Sequence, residues 1–239
     1  MNCKDSLNSK QQERVHYFAR QLITADDLTQ DQNYQREKHR LHNRLLHGWG
    51  IICGLEIKVL DASKPLIITI CSGYALSPQG DEIFVPTEFQ FDLGKCFAGQ
   101  DASCHSCAPA MSGAVDPAKD YFIAIRYIEC KSRPVRVPPV GCGCDDTGCE
   151  FSRIRDGFEV TCIDKLPDSH DAESHVLVDL CSIVNNTKVV ACPQCPSDPW
   201  IVLAKVYEKG NLLNPPSPGD RRILLTTVVM QEHLQMQCV

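Results

Sequence analysis

Four cysteines set in two CxxC pairs, Cys104-His105-Ser106-Cys107 and Cys192-Pro193-Gln194-Cys195, are the residues best placed by type and spacing to do chemistry. Two thiolates at this spacing can take two corners of a tetrahedron around one zinc ion, and two such pairs complete a closed site. Cys142, Cys144 and Cys149 form a second cluster, to which Cys130 or Cys162 could add a ligand. The bland alternative is free thiols, or disulfides if the protein leaves the cell. Metal and disulfide would do the same physical job here, pinning long loops that own no core. Structural zinc is favoured over catalytic zinc, because a four-thiolate site leaves no open coordination position. A thioredoxin-type redox role for Cys192 and Cys195 needs a helix N-terminus to stabilise the thiolate. Pro196 and Pro199 come next instead, ahead of a strand-like segment.

Other chemistry is sparse. His39 and His42 lie three apart on a helix and could approach one metal. No H-E-x-x-H pattern accompanies them, so solvated or interface histidines are the simpler expectation. His47, His170 and His175 show no partner spacing. The chain has no phosphate-binding glycine loop, no G-x-S-x-G elbow and no dinucleotide fingerprint. Asp145-Asp146 sits in a cysteine loop and reads as solvation. Trp49, between Gly48 and Gly50, reads as a packing residue that seats the helix end on the β body.

The elements that must position these residues fall into two parts. Thr24-Ala25-Asp26-Asp27 has the form of a capping box, an acid three residues after a threonine, and opens a helix expected to run to about His47, with Gly48 ending it. That helix is almost wholly polar. Only Leu28, Tyr34, Leu41 and Leu45 offer a narrow apolar seam, expected to dock on the chain's own body, whereas Arg36, Arg40 and Arg44 are expected to meet a neighbouring subunit. Gln11 to Ile23 is expected to hold a further short element on Val15, Phe18, Leu22 and Ile23.

After Gly50 the pattern turns to β. Ile51–Leu60, Leu66–Cys71, Tyr121–Glu129, Phe158–Ile163, Trp200–Tyr207 and Arg222–Val229 are expected strands, and Pro134–Pro139 an extended segment. Val176–Val184 is ambiguous. Ser77-Pro78-Gln79-Gly80, with proline second and glycine fourth, suits a type I turn joining Tyr74–Leu76 to Glu82–Val85 as a hairpin. The expected fold class is α+β, a long N-terminal helix on a mostly antiparallel β body with long Cys-rich loops. The expected division is residues 1–50 as a helical arm and 51–239 as a mainly β domain, its loops at about 96–119, 138–150 and 185–199.

Composition excludes several function classes. The chain has 239 residues, 43% of them hydrophobic and 23% charged, which suits a globular body. A net charge of -6 argues against nucleic acid as the main partner. No apolar run is long enough to span a membrane. The first residues lack the apolar core of a secretory signal, so synthesis and folding in the cytoplasm are expected, other export routes being left open. Fifteen cysteines in such a chain suggest metal ligation or plain burial before disulfides.

The stretch Ala25 to Ile57, ADDLTQDQNYQREKHRLHNRLLHGWGIICGLEI, resembles an uncharacterised bacterial family associated with phage-tail-like contractile injection systems. The resemblance continues through Gly73 to Ile83 and through blocks at Tyr121–Glu129, Cys149–Arg155 and Pro199–Ala204. It implies a non-enzymatic structural subunit of such a particle, at a baseplate, fibre-attachment, collar or cap position. It implies partner subunits, in a homo- or hetero-oligomer, and incorporation into a particle that stays in the cell or is released. The alternatives are a β-sandwich binding module for glycan or a cell-surface partner, and a zinc-dependent enzyme. If Cys104, Cys107, Cys192 and Cys195 share one zinc, Cys104→Ser or Cys192→Ser is expected to lower both the melting temperature and bound zinc. Elemental analysis with thermal denaturation checks this, and no change in either quantity removes the shared site.

Overall fold

Thr24 starts the long helix as the local sequence dictates. Its backbone is extended, its hydroxyl accepts a hydrogen bond from the Asp27 amide, and the Asp27 carboxylate accepts one from the Thr24 amide. Both orphan donors of the helix start are thus satisfied reciprocally. Helix α1 spans Ala25–His42, continues as a single wide π-helical turn over Asn43–His47, and stops at Gly48. Gly48 has a φ of 83°, and its amide donates to the Asn43 carbonyl at 3.0 Å. The structure, a computed structural model, describes residues 12–59, 67–93, 121–136, 149–170, 192, 195–206, 208–209, 212–213, 221–226 and 229.

One N-terminal helix and a mostly antiparallel β body make up the described fold. The strands are β1 (Gly50–Gly54), β2 (Ile57–Val59), β3 (Ile67–Ile70), β4 (Gly73–Leu76), β5 (Glu82–Val85) and β6 (Phe89–Asp92), then β7 (Tyr121–Arg136), β8 (Cys149–Ile163), β9 (Ile201–Val206), β10 (Glu208–Lys209) and β11 (Leu212–Leu213). Three sheets hold three strands each, in the orders β1-β4-β5, β2-β3-β6 and β8-β7-β9, and β10 pairs with β11. All these pairings are antiparallel. Alternation is clean on β5, where Ile83 and Val85 point inward and Glu82 and Phe84 outward. The three larger sheets share one core, with Trp49, Ile51, Leu55, Ile70, Ile83, Ile125 and Leu203 among its members. Each fully buried aliphatic there contributes about 1.5–3 kcal/mol relative to exposure. No described helix is long and apolar enough to cross a membrane.

Several expectations shift. The run Ile51–Leu60 is two strands in two sheets, because Gly54 and Leu55 both take positive φ, 64° and 53°, and redirect the chain. A positive φ is unfavourable for leucine; complete burial of the Leu55 side chain and its amide's bond to the Ser72 carbonyl hold it there. Among the described residues of the segment expected as a strand at Arg222–Val229, the pairing is a single parallel bridge, Ile223 to Ile51. Residues 12–23 carry no helix or strand, only a turn around Ala19-Arg20. Tyr121–Glu129 and Phe158–Ile163 are cores of much longer strands: β7 and β8 pair continuously from Phe122↔Ile163 to Arg136↔Cys149. The expected loops at 96–119 and 138–150 lie outside the described residues apart from Cys149 and Glu150, as does Val176–Val184.

The turn Ser77–Gly80 forms as the sequence predicts, with the Gly80 amide donating to the Ser77 carbonyl at 2.9 Å and β4 paired to β5. Gly80 has a φ of 94°, and a Cβ there would strike the Arg40 carbonyl and Cα of α1. The helix backbone rests directly on this glycine. Gly80→Ala is expected to destabilise the fold by at least about 1–2 kcal/mol from the φ penalty alone. Urea denaturation checks it, and a variant as stable as the parent would refute the close approach.

Candidate functional site at the helix-body junction

The polar side of α1 is where the molecule concentrates its charge. Arg36, Arg40 and Asn43 lie at spacings of four and three, so they share one face of the helix. Arg40 Nε donates to Asp81 Oδ1 at 2.6 Å, and its Nη1 to Glu37 Oε1 at 2.9 Å. Arg36 pairs with Glu129 at the middle of β7, and its Nη2 donates to Asn33 Oδ1 at 3.0 Å. Asn43 Nδ2 donates to the Gly80 carbonyl at 2.9 Å. Arg44 is buried, 5% exposed, where the helix widens. Next to this row, the Tyr127 hydroxyl donates to Asp156 Oδ1 at 2.7 Å across the β7–β8 pair.

The electrostatics arise from partial burial. Burial works to lower the Arg40 pKa, but Asp81 and Glu37 outweigh it and hold the guanidinium above its ordinary value. Burial raises Asp81 above the usual carboxylate range, with Arg40 pulling in the opposite direction. Burial, and then Asp156, push the Tyr127 phenol far above its ordinary value, so it stays a hydrogen-bond donor. Tyr74, on β4, is pushed up to about 12 by burial and then by Glu82. At the helix start the Thr24 hydroxyl and amide hold Asp27 below its ordinary value. Chemically, the row is an electrostatic clamp that fixes helix to sheet.

A second cluster fixes the helix exit. Trp49 is buried, with the Arg222 guanidinium 4.2 Å from its ring centroid and the His170 ring edge-on at 4.9 Å. Arg222 Nε donates to the Trp49 carbonyl at 3.0 Å, and the Val202 amide donates to His170 Nε2 at 3.1 Å. Trp49 thus joins helix end, β9 and the 221–226 segment, in line with the packing role expected for it. Gly50 is needed here as well, since a Cβ would lie 2.8 Å from the Arg222 carbonyl oxygen.

The expected site residues are scattered over the molecule. Arg36, Arg40 and Arg44 are engaged by the chain's own body, while Leu28 and Leu45 of the expected apolar seam are exposed. The helix docks through salt bridges more than through leucines. Cys192 is exposed with a free thiol, and Cys195 is half-buried and disulfide-bonded, its Sγ 3.7 Å from the Pro78 carbonyl oxygen. Zinc ligation by Cys195 would require its reduced form. Cys104, Cys107, Cys142 and Cys144 lie outside the described residues, and Cys149 sits at the start of β8. Among the described residues no group of three or more His, Cys, Asp or Glu is placed to hold a metal. Asp81, Glu129 and Asp156, the acidic half of the clamp, were not singled out by the sequence; the four-residue spacing of Arg36, Arg40 and Arg44 was the available signal.

No family model matches the chain, and no curated protein matches it. Among solved structures, a chain of the type VI secretion system TssK-TssF-TssG baseplate subcomplex, determined by cryo-electron microscopy, is similar at a TM-score of 0.45 and 11% identity, over 95% of this chain and 68% of that one. A crystal structure of TssK is similar at a TM-score of 0.41 and 12% identity, over 85% of this chain. The chain spans 42% of that TssK chain's length. Likenesses this distant carry no argument about what the chain does.

Two outcomes test the clamp. A double-mutant cycle on Arg40→Ala and Asp81→Ala is expected to give a coupling of about 1–3 kcal/mol, as for a charged hydrogen bond shielded from water. The same cycle on the exposed Lys165–Asp168 pair is expected to give close to zero. Equal couplings would overturn the assignment. Because Asp27 is held below its unfolded value, near 3.8, the cap contributes stability above that pH and loses it as pH falls through the lower folded value. The stability gap between wild type and Asp27→Asn, followed by circular dichroism, is therefore expected to close in acid. A gap constant across the range contradicts it.

Proposed function

We propose that this chain is a non-enzymatic structural subunit of a contractile, phage-tail-like injection particle, assembling through its N-terminal arm. One observation carries the assembly surface. Tyr17, Phe18, Leu22, Ile23, Leu28 and Leu46 stand exposed along the arm, Leu22 at 85% and Leu28 at 52%, more large apolar side chains than any other described element leaves exposed. Contiguous exposed apolar groups of this kind mark a surface that another protein covers. The Ile23 and Leu28 pair also occupies the two positions of a hydrophobic staple, which fixes the angle at which the preceding segment enters the helix.

The clamp supplies the other requirement of a particle component. A subunit under mechanical load must transmit force from its contact surface to its body, and ion pairs from Arg36 and Arg40 bind helix to sheet at two separate places. The tail-like character rests on the resemblance of Ala25 to Ile57 and its continuation at Gly73 to Ile83. In this proposal the chain is made in the cytoplasm, meets other subunits of the particle, and uses its cysteine loops, closed by structural zinc or by disulfides, as rigid projections. Arg36 and Arg40, partly exposed beside their carboxylate partners, flank the contact, whereas Arg44 is buried.

Incorporation into native particles tests the proposal. The double variant Phe18→Asp, Leu22→Asp changes only exposed side chains, so its stability is expected to stay within about 0.5 kcal/mol of the parent. It is expected to be lost from purified particles while remaining folded in the soluble fraction. Full incorporation of the variant, or absence of the wild-type chain from intact particles, refutes it.

A further inference from the structure

The hairpin of β7 and β8 outruns the body that supports it. Pairing with β9 covers only Tyr121 to Ile125 of β7, yet β7 and β8 continue as a two-stranded ribbon to Arg136 and Cys149. Residues opposite one another in an antiparallel pair share a face, and faces alternate along the strand. The pairs Cys130↔Arg155, Ser132↔Arg153, Pro134↔Phe151 and Arg136↔Cys149 therefore place Arg155, Arg153, Phe151 and Arg136 on one face. All four are exposed, and from Cys130 to Arg136 and from Cys149 to Arg155 that face holds no acidic residue; its one carboxylate lies further in, on the buried Glu159 opposite Arg126.

Several arginines of the body meet a carboxylate, and those of the outer ribbon do not. Arg36, Arg40 and Arg126 each pair with a carboxylate of the chain, Arg126 with the buried Glu159 at 2.7 Å. Among the described residues Arg136, Arg153 and Arg155 pair with none; Arg153 donates only to the neighbouring Ser152 carbonyl, at 2.7 Å. Yet acidic residues outnumber Lys and Arg by 30 to 24 over the whole chain. Carboxylates are plentiful and have been kept off this face.

Among the described residues β8 is also the outer strand of its sheet, with no strand paired to its other edge along the ribbon. An exposed edge of this kind is a template for one more strand. We infer that the ribbon binds an acidic polypeptide segment of a partner as an added strand on β8, with carboxylates on alternate residues. Arg153 and Arg155 lie two residues apart, about 7 Å along the strand, which is the spacing of side chains on one face of the incoming strand. The carboxylates meet the two guanidinium groups cross-strand, and an apolar residue of the partner covers Phe151. This is a second surface, separate from the apolar arm.

A strand-length fluorescent peptide carrying two glutamates and then a valine at alternate positions, with threonine between them, is the probe, titrated against the full chain by fluorescence anisotropy at low salt. Two controls are a peptide of the same composition with its glutamates in one block, and a single-stranded oligonucleotide. The alternating peptide is expected to bind more tightly than either control, and Arg153→Ser with Arg155→Ser to weaken it about tenfold. Circular dichroism melting verifies that the variant folds like the parent. No binding by the wild type, equal binding of the block peptide, preference for the oligonucleotide, or an unchanged affinity in the variant would each overturn the inference. Preference for the oligonucleotide would instead assign the arginines to nucleic-acid phosphate.

Discussion

The contact of the α1 backbone with Gly80 is the constraint on which the rest of the arrangement depends. A helix with almost no apolar stripe gains little from docking by burial, so its position has to come from geometry and charge. Gly80 allows the approach by having no side chain, and its left-handed backbone aims the turn so that Asp81 faces Arg40. Asn43 then closes onto the Gly80 carbonyl. The turn that makes the β4–β5 hairpin is therefore also the seat of the helix. Sheet and arm share one hinge point, and neither can be repositioned without the other.

Polar docking has energetic consequences that apolar docking lacks. Salt bridges near a surface have directional geometry and contribute modestly to stability, because desolvation offsets much of their attraction. They hold register better than they hold affinity. The helix can thus be fixed in one orientation while its leucines and the apolar residues before it stay exposed. An ordinary amphipathic helix would bury that apolar surface in its own core.

Local features of the sequence were legible, and long-range ones were not. The capping box at Thr24, the end at Gly48 and the Ser77–Gly80 turn were all readable because their physics spans four or five residues. The α+β class emerged from periodicity. The break in Ile51–Leu60 was hidden, since apolar residues on both sides of Gly54 and Leu55 look alike whichever sheet they join. The destination of the arginines was hidden for a different reason. Arg40 has one carboxylate partner within reach of the local sequence, Glu37, but Asp81 and Glu129 lie 41 and 93 positions from their arginines, where spacing carries no signal. The full length of β7 and β8 was obscured by their polar outer halves, which pair well but bury nothing.

The Trp49 joint carries a consequence for the order in which the molecule is built. Ile51 gives its amide to the Arg222 carbonyl and takes the Leu224 amide in return, and Arg222 reaches back to the Trp49 carbonyl 173 positions earlier. The helix is encoded near the beginning of the chain, but the clasp over its exit arrives only after nearly all the sheets have been synthesised. Before it arrives the arm is already seated by Gly80, Asp81 and Glu129, which all precede it in the chain, so the clasp adds a tie at the helix exit to an arm held along its length. That tie runs between positions 49–51 and 222–224, so the joint at the helix exit is complete only once the segment around Ile223 has been added.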